Sequence, residues 1–185
     1  MAFIVVYDAC VLHQAPLRDL LIRVAQAGIV RDRWTDAILD ECFASILERL
    51  PNVDRARLAR TRALMTEAVR DCMVVGYEVL IESISLPDPD DRHVVAAAVR
   101  AGAQVIVTYN TKDFPVESLA AFDVEAKHPD DFVLESIDLA PGRIAGIVAE
   151  QAADLRNPPR TAREVLDTLA ELGLTRAVAR LRELL

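Results

Sequence analysis

The stretch from Leu86 to Pro115, LPDPDDRHVVAAAVRAGAQVIVTYNTKDFP, sets Asp88, Asp90 and Asp91 at the start of one helix. A fourth carboxylate, Asp113, follows the apolar run that comes next. Helix-end rules account for part of this crowding. Asp88 fits an N-cap and Pro89 the first helical position. Asp90 and Asp91 fit the first turn, where negative charge meets the positive end of the helix dipole. Direction separates the last two. Steps of three and four from Asp91 reach Val94, Val95, Ala98 and Val99, whereas those from Asp90 reach His93, Val94, Ala97 and Ala98. Asp91 therefore stands more squarely over the apolar stripe. A carboxylate aimed at a core is rare unless it is paired or binds a metal. Asp91 reads as a functional acid, and Asp90 as a capping one.

Two further acids stand where chemistry is done in parallel sheets. Gln104 to Tyr109 is a continuous apolar run introduced by Gly102, a usual helix stop, and it reads as a strand buried on both faces. Ligand sites in such sheets lie at the carboxyl ends of strands, and here that end carries Thr108, Asn110 and Asp113. Asp113 alone is also an ordinary turn residue. Phe3 to Tyr7 (FIVVY) is a second buried-strand pattern, and Asp8 is the first residue beyond it.

Asp8, Glu41, Asp91 and Asp113 come from four separate elements, and a parallel sheet can bring at least three of their anchor points to one end. Two carboxylates 4 Å apart repel by about 4 kcal/mol at an effective dielectric of 20. A divalent cation removes that cost. Mg²⁺ and Mn²⁺ take oxygen ligands, and a retained water suits them to hydrolysis of a phosphodiester.

The remaining elements must position these groups. Pro16 opens a helix to about Ala27 with Leu17, Leu20, Leu21, Val24 and Ala25 on one face and Gly28 at its end. Thr35 is the N-cap of TDAILDECFASILERL, which stops at Pro51 and buries Ile38, Leu39, Cys42, Phe43, Ile46 and Leu50. Glu41 borders that stripe, with Ala37, Ile38, Ala44 and Ser45 as neighbours. On periodicity alone it is a surface glutamate. An arginine-rich helix, capped by Asn52, runs from about Asp54 to Arg70 with Leu58, Leu64, Met65, Ala68 and Val69 inward. Met73 to Leu86 fits either a strand or a loop and short helix. Asp123 to Lys127 reads as a short strand, and Pro129 begins a helix to about Ile137.

Apolar strands alternating with amphipathic helices indicate an α/β fold with a mainly parallel central sheet flanked by helices. From Pro141 the pattern is purely helical. Arg143 to Leu155 is amphipathic, Asn157-Pro158-Pro159 breaks the chain, Thr161 and Glu164 form a capping box, and Gly173 separates the last two helices. These apolar stripes need a partner surface, either the core or a second subunit. The expected organisation is a domain over 1–137 and an all-helical extension over 141–185.

Composition sets bounds on partners. With 52% hydrophobic residues and no low-complexity tract, the chain is a compact globular protein. No apolar run approaches the roughly 20 residues of a membrane span, and the start MAFIVVYDAC lacks the basic region of a secretory signal, so the cytoplasm is the expected compartment. Cys10, Cys42 and Cys72 lack paired spacing and read as reduced core cysteines, while His13, His93 and His128 are scattered and read as forming no ligand pair. The net charge of −8 argues against nucleic acid as a partner. Distribution qualifies this, because Lys112 and Lys127 are the only lysines and Arg49, Arg55, Arg57, Arg60 and Arg62 cluster. Such a run is either a solvated helix face or a phosphate-binding one.

YDACVL, WTDAILDE, LPDPDDRHVVAAAVRAGA and VTYNTKDFP, in this order and spacing, resemble the motifs of PIN-domain endoribonucleases of the VapC toxin kind. The likeness covers about residues 1 to 137, and the tail resembles the helical extension of some longer members. Carried over by position, the acidic site falls on Asp8, Glu41, Asp91 and Asp113, with Asp8, Asp91 and Asp113 as metal ligands. Asn110 and Thr108 are polar helpers and Asp90 an additional ligand candidate. The resemblance implies Mg²⁺-dependent RNA cleavage, homodimerisation, and neutralisation by a DNA-binding antitoxin. Mn²⁺, which takes the same oxygen ligands, would substitute, and the clustered Arg55, Arg57, Arg60 and Arg62 are the candidates for RNA contact. An aspartyl-phosphate phosphotransferase would want a second Asp where Cys10 stands, and a receiver domain would pair its acids before the first helix. The remaining alternative is a PIN fold with weak or no cleavage, serving as a binding or regulatory module.

Overall fold

The computed structural model describes residues 3–185. Among the described residues four strands form one sheet in the order β2-β1-β3-β4, every neighbouring pair parallel. β1 (Phe3–Tyr7) and β3 (Val105–Val107) lie at its centre, with Val5, Val6, Ile106 and Val107 wholly buried. The ladder runs on past the strand ends, since the Asp8 N–H donates to Val107 O at 3.1 Å and the Thr108 N–H to Lys127 O at 3.0 Å. Asp8 and Thr108 are thus fixed to the sheet by their own backbones.

α1 (Ala9–Leu12) follows at once, a single turn not expected from the sequence, and α2 (Ala15–Gln26) carries Pro16 in its first turn and ends before Gly28 at φ 74°. β2 (Val30–Arg33) was also not expected. Its sequence VRDR looks like surface, yet Asp32 is wholly inside and accepts a hydrogen bond from the Tyr7 hydroxyl at 2.8 Å. α3 (Asp36–Arg49) starts with the Thr35 hydroxyl accepting from the Ile38 N–H, as expected. α4 (Arg55–Ala68) is capped by Asp54, not Asn52. Two apolar residues expected inside are outside: Leu50 is 59% exposed at the fraying end of α3, and Leu64 51% on α4. Neither helix face is fully covered there, so periodicity alone overstates burial.

Met73 to Leu86 takes the loop-and-helix form. Met73 makes one parallel bridge to Trp34, and Glu78–Ser83 is a 3₁₀ turn. The acidic helix begins as a 3₁₀ turn over Pro89–Asp91, with the Asp88 carboxylate accepting from the Asp90 N–H at 2.9 Å. It continues as α5 (Arg92–Ala101) and ends at Gly102, whose φ of 64° is the left-handed C-cap. α6 (Val116–Leu119) and β4 (Glu125–Lys127) lead to the helices α7 (Pro129–Leu139), α8 (Pro141–Asp154), α9 (Ala162–Glu171) and α10 (Thr175–Arg182). The Thr161–Glu164 capping box is present.

The tail packs on the core. α8 and α9 lie against α2, and α10 against α7. Gln151 Nε2 donates to Pro16 O, and the Asp130 carboxylate accepts from the Arg176 and Ala177 N–H groups that open α10. Among the described residues no helix is long and apolar enough to cross a membrane.

Candidate active site

Asp8 is 6% exposed and Thr108 not at all, so their contact is shielded from water. The Thr108 hydroxyl donates to Asp8 Oδ2 at 2.7 Å and the Cys10 thiol to the same oxygen at 3.1 Å. Backbone groups orient both donors: the Asn110 N–H donates to Thr108 Oγ1 at 3.0 Å, and the Tyr109 N–H to Cys10 Sγ at 3.3 Å. Asp8 is thus gripped by one oxygen, and among the described residues Oδ1 takes no hydrogen bond. Burial, the negative charge of Asp8 and the thiol's bond to it push Cys10 up to about 12. It is a thiol donor here and no thiolate. Periodicity gave no sign of this role, and the only signal was its place two residues after Asp8.

Asp91 and Asp90 diverge as their faces require. Asp90 is exposed and Asp91 half-buried at the entry to α5. Partial burial, and then the charges of Asp8, Asp88 and Asp113, push the Asp91 carboxyl up to about 6, against a smaller opposing effect of His93. Three acids from the ends of β1 and β3 and the turn before α5 therefore share one electrostatic environment with Asp91. Asp113 is half-buried in the 3₁₀ turn Thr111–Asp113, and Asn110 beside it is exposed.

Glu41 reaches this region through a residue that the sequence had left unassigned. His93 Nε2 lies 2.9 Å from Glu41 Oε1, with the histidine side chain 12% exposed and the glutamate 52%. Burial disfavours the charged imidazole, but the bond to Glu41 and the charges of Glu41, Asp8 and Asp91 together raise His93 above its ordinary value.

The acids are coupled through their charges and form no closed cage. Among the described residues no group of three or more His, Cys, Asp or Glu side chains is gathered tightly enough to hold a metal unaided. The clustered arginines from Arg55 on are carried by α4. Arg55, Arg57 and Arg60 are exposed there, whereas Arg62 is bound to Asp36 at 2.7 Å and to Asp40.

The sequence matches the PIN domain family over residues 4–112, which is more than half of the chain. The chain belongs to the PIN-domain family. Residues 129–183, which take in α7 as well as α8 to α10, match the VapC50 C-terminal domain. Over 96 residues the chain is 41% identical to a protein of Mycobacterium tuberculosis (strain ATCC 25618 / H37Rv) named "Putative ribonuclease VapC50". That alignment covers 52% of this chain and 56% of the relative, so the match spans about half the length of each. No solved structure matches. The match to the PIN domain spans β1 through the start of the turn that carries Asp113, and so takes in Asp8, Glu41 and Asp91.

Proposed function

We propose that this PIN-domain chain is a divalent-metal-dependent endoribonuclease, the toxin of a toxin–antitoxin pair. The observation that carries the reading is Asp8, buried at the carboxyl end of β1 with one oxygen gripped by Thr108 and Cys10 and the other free of hydrogen bonds among the described residues, and set close enough to Asp91 for its charge to raise that carboxyl. Carboxylates brought together at the cost of repulsion need a compensating positive charge. The donors fit a hard divalent ion, being carboxylate, hydroxyl and amide oxygens, while the one nearby sulfur is protonated. Acids that do not close around an ion suit Mg²⁺ in particular, which keeps several waters of its own, and Mn²⁺ takes the same oxygen ligands.

Asp8, Asp91 and Asp113 would hold the ion and Glu41 is the fourth catalytic acid. When bound, the ion supplies an acidic water and stabilises the leaving oxyanion. Thr108 and Cys10 keep Asp8 Oδ2 occupied by donors, so that only its other oxygen is left for a ligand. Exposed Asn110 offers an amide to a phosphate oxygen, and Asp90 stands ready to accept a hydrogen bond from an outer water. Arg55, Arg57 and Arg60 would contact the RNA backbone, with Arg62 committed first to Asp36 and Asp40. The same reading includes a nuclease domain over 1–137 with an extension over 141–185, a homodimer, a DNA-binding antitoxin and a cytoplasmic setting.

RNA 5′ and 3′ ends sequenced after induction of the wild type should show new cleavage sites that vanish with Asp8→Asn. Mg²⁺ or Mn²⁺ should raise the melting temperature of the wild type more than that of Asp8→Asn. Identical end profiles in the two strains would leave a binding module without cleavage as the better description.

A further inference from the structure

We infer that His93 is a positioning residue that holds Glu41 at the acid cluster. What Glu41 does there rests on the ribonuclease reading above; the contact itself does not. Glu41 stands on α3 among the small neighbours Ala37, Ala44 and Ser45, and its side chain is half exposed. Among the described residues no other hydrogen bond or ion pair restrains it. Left alone, a glutamate so placed samples several rotamers.

His93 is the opposite case. Its side chain is 12% exposed and sits in the first turn of α5, ahead of the fully buried run Val94–Ala98. Its Nε2 meets Glu41 Oε1 at 2.9 Å, which leaves the second carboxylate oxygen available. Its Nδ1 is buried without a partner. A proton on Nε2 gives Glu41 its donor whether the imidazole is neutral or charged. α3 and α5 share little other packing, so this bond is the direct tie between the helix that carries Glu41 and the one that opens with Asp91.

The pair is too exposed on the Glu41 side to matter much for folding, which makes the role separable from a structural one. The test uses the full chain as wild type, His93→Phe, His93→Gln, Glu41→Gln and the double variant His93→Phe/Glu41→Gln. Each is assayed for cleavage of a single-stranded RNA and, by calorimetry, for Mn²⁺ affinity without RNA. His93→Phe keeps a ring and loses the donor. It should lower kcat by about 10-fold to 100-fold, leave KM for RNA within about twofold, and weaken Mn²⁺ binding measurably, because a Glu41 no longer held at the cluster adds less negative charge to it. Its melting temperature should move by less than about 3 °C. His93→Gln, which retains an N–H, should recover most of the loss. Adding His93→Phe to Glu41→Gln should cost less than about twofold more, because residues that act as a unit are not additive. Losses that multiply in the double variant, or a His93→Phe protein equal to wild type in both cleavage and Mn²⁺ affinity, would overturn the assignment. A wild type that binds Mn²⁺ but cuts no RNA would remove the ribonuclease reading, and the affinity comparison would still decide the role of His93.

Discussion

Asp90 and Asp91 occupy one acidic turn, and local rules treat them almost alike, yet one is exposed and the other half-buried among acids. Asp91→Asn keeps the shape of the side chain and removes the charge, so cleavage should fall by at least about 100-fold while the fold remains. Stability should hold or rise, because the variant lacks one of several mutually repelling carboxylates. Linkage gives the pH dependence. With its folded value pushed up to about 6, against about 4 for an unperturbed Asp, the Asp91 contribution is fully present below pH 4 and is lost as the pH rises through 6. Metal-free wild type should therefore lose stability relative to Asp91→Asn between those values, by well under the roughly 1.4 kcal/mol per pKa unit of an unscreened group. Asp90→Asn should cost only about 0.3–1 kcal/mol through the helix dipole and keep most activity. Paired cleavage assays and thermal melts at pH 4 and pH 7 check all of these, and full activity in Asp91→Asn would reverse the face assignment.

At the scale of elements, legibility followed the range of the forces that make each one. β1, β3, the Asp88 cap, the Gly102 stop and the Thr161–Glu164 box are written in neighbouring residues, and all were readable as sequence. Asp8, Asp91 and Asp113 could be placed at strand and helix ends for the same reason. β2 could not, because Val30–Arg33 is a strand by virtue of its pairing with β1 and its apolar content is slight. The link from His93 to Glu41 was equally hidden, since it joins two helices far apart in the chain. Asp32 in β2 has a measurable consequence. Burial, despite the Tyr7 hydroxyl and the Arg33 charge, holds its carboxyl well above the ordinary carboxylate range, and its Oδ2 has no partner. Its contribution to stability is present below pH 4 and declines as the pH rises. Asp32→Asn mimics the protonated acid and keeps an acceptor for Tyr7. Urea unfolding at pH 5 and pH 8 should show the wild type falling relative to Asp32→Asn at the higher pH, and parallel curves would mean that Asp32 does not exchange a proton on folding. Tyr7→Phe should cost about 1–3 kcal/mol by leaving the buried acid unpartnered.

For the whole molecule, the question is whether the helical tail is an appendage or part of one folding unit. Its apolar face buries Ile144, Ile147, Val148, Leu166, Leu169, Leu174, Val178 and Leu181, each at 2% exposure or less. Burial of a large aliphatic side chain contributes about 1.5–3 kcal/mol before the entropy of ordering the chain is set against it, so uncovering the surface these eight pack on would cost the core several kcal/mol. The polar contacts across the boundary also reach the site. The Tyr109 hydroxyl donates to Leu172 O at 2.8 Å, and Tyr109 lies between Thr108, which grips Asp8, and Asn110. Gly173, at φ 93°, turns the chain where an added Cβ would touch the Tyr109 and His128 rings. Ending the chain at Ala140 would strip α2 and α7 of their cover and free the Tyr109 hydroxyl. The truncated protein should be aggregation-prone and melt at least 10 °C lower than the full chain, since a loss of several kcal/mol moves a protein of this size by about 2–4 °C per kcal/mol. Tyr109→Phe isolates the second effect. It removes one hydrogen bond worth about 1 kcal/mol, and any fall in RNA cleavage beyond what its melting curve accounts for measures how far the tail orders the Thr108–Asn110 segment. A chain ending at Ala140 that melted like the full protein would show the tail to be an independent appendage.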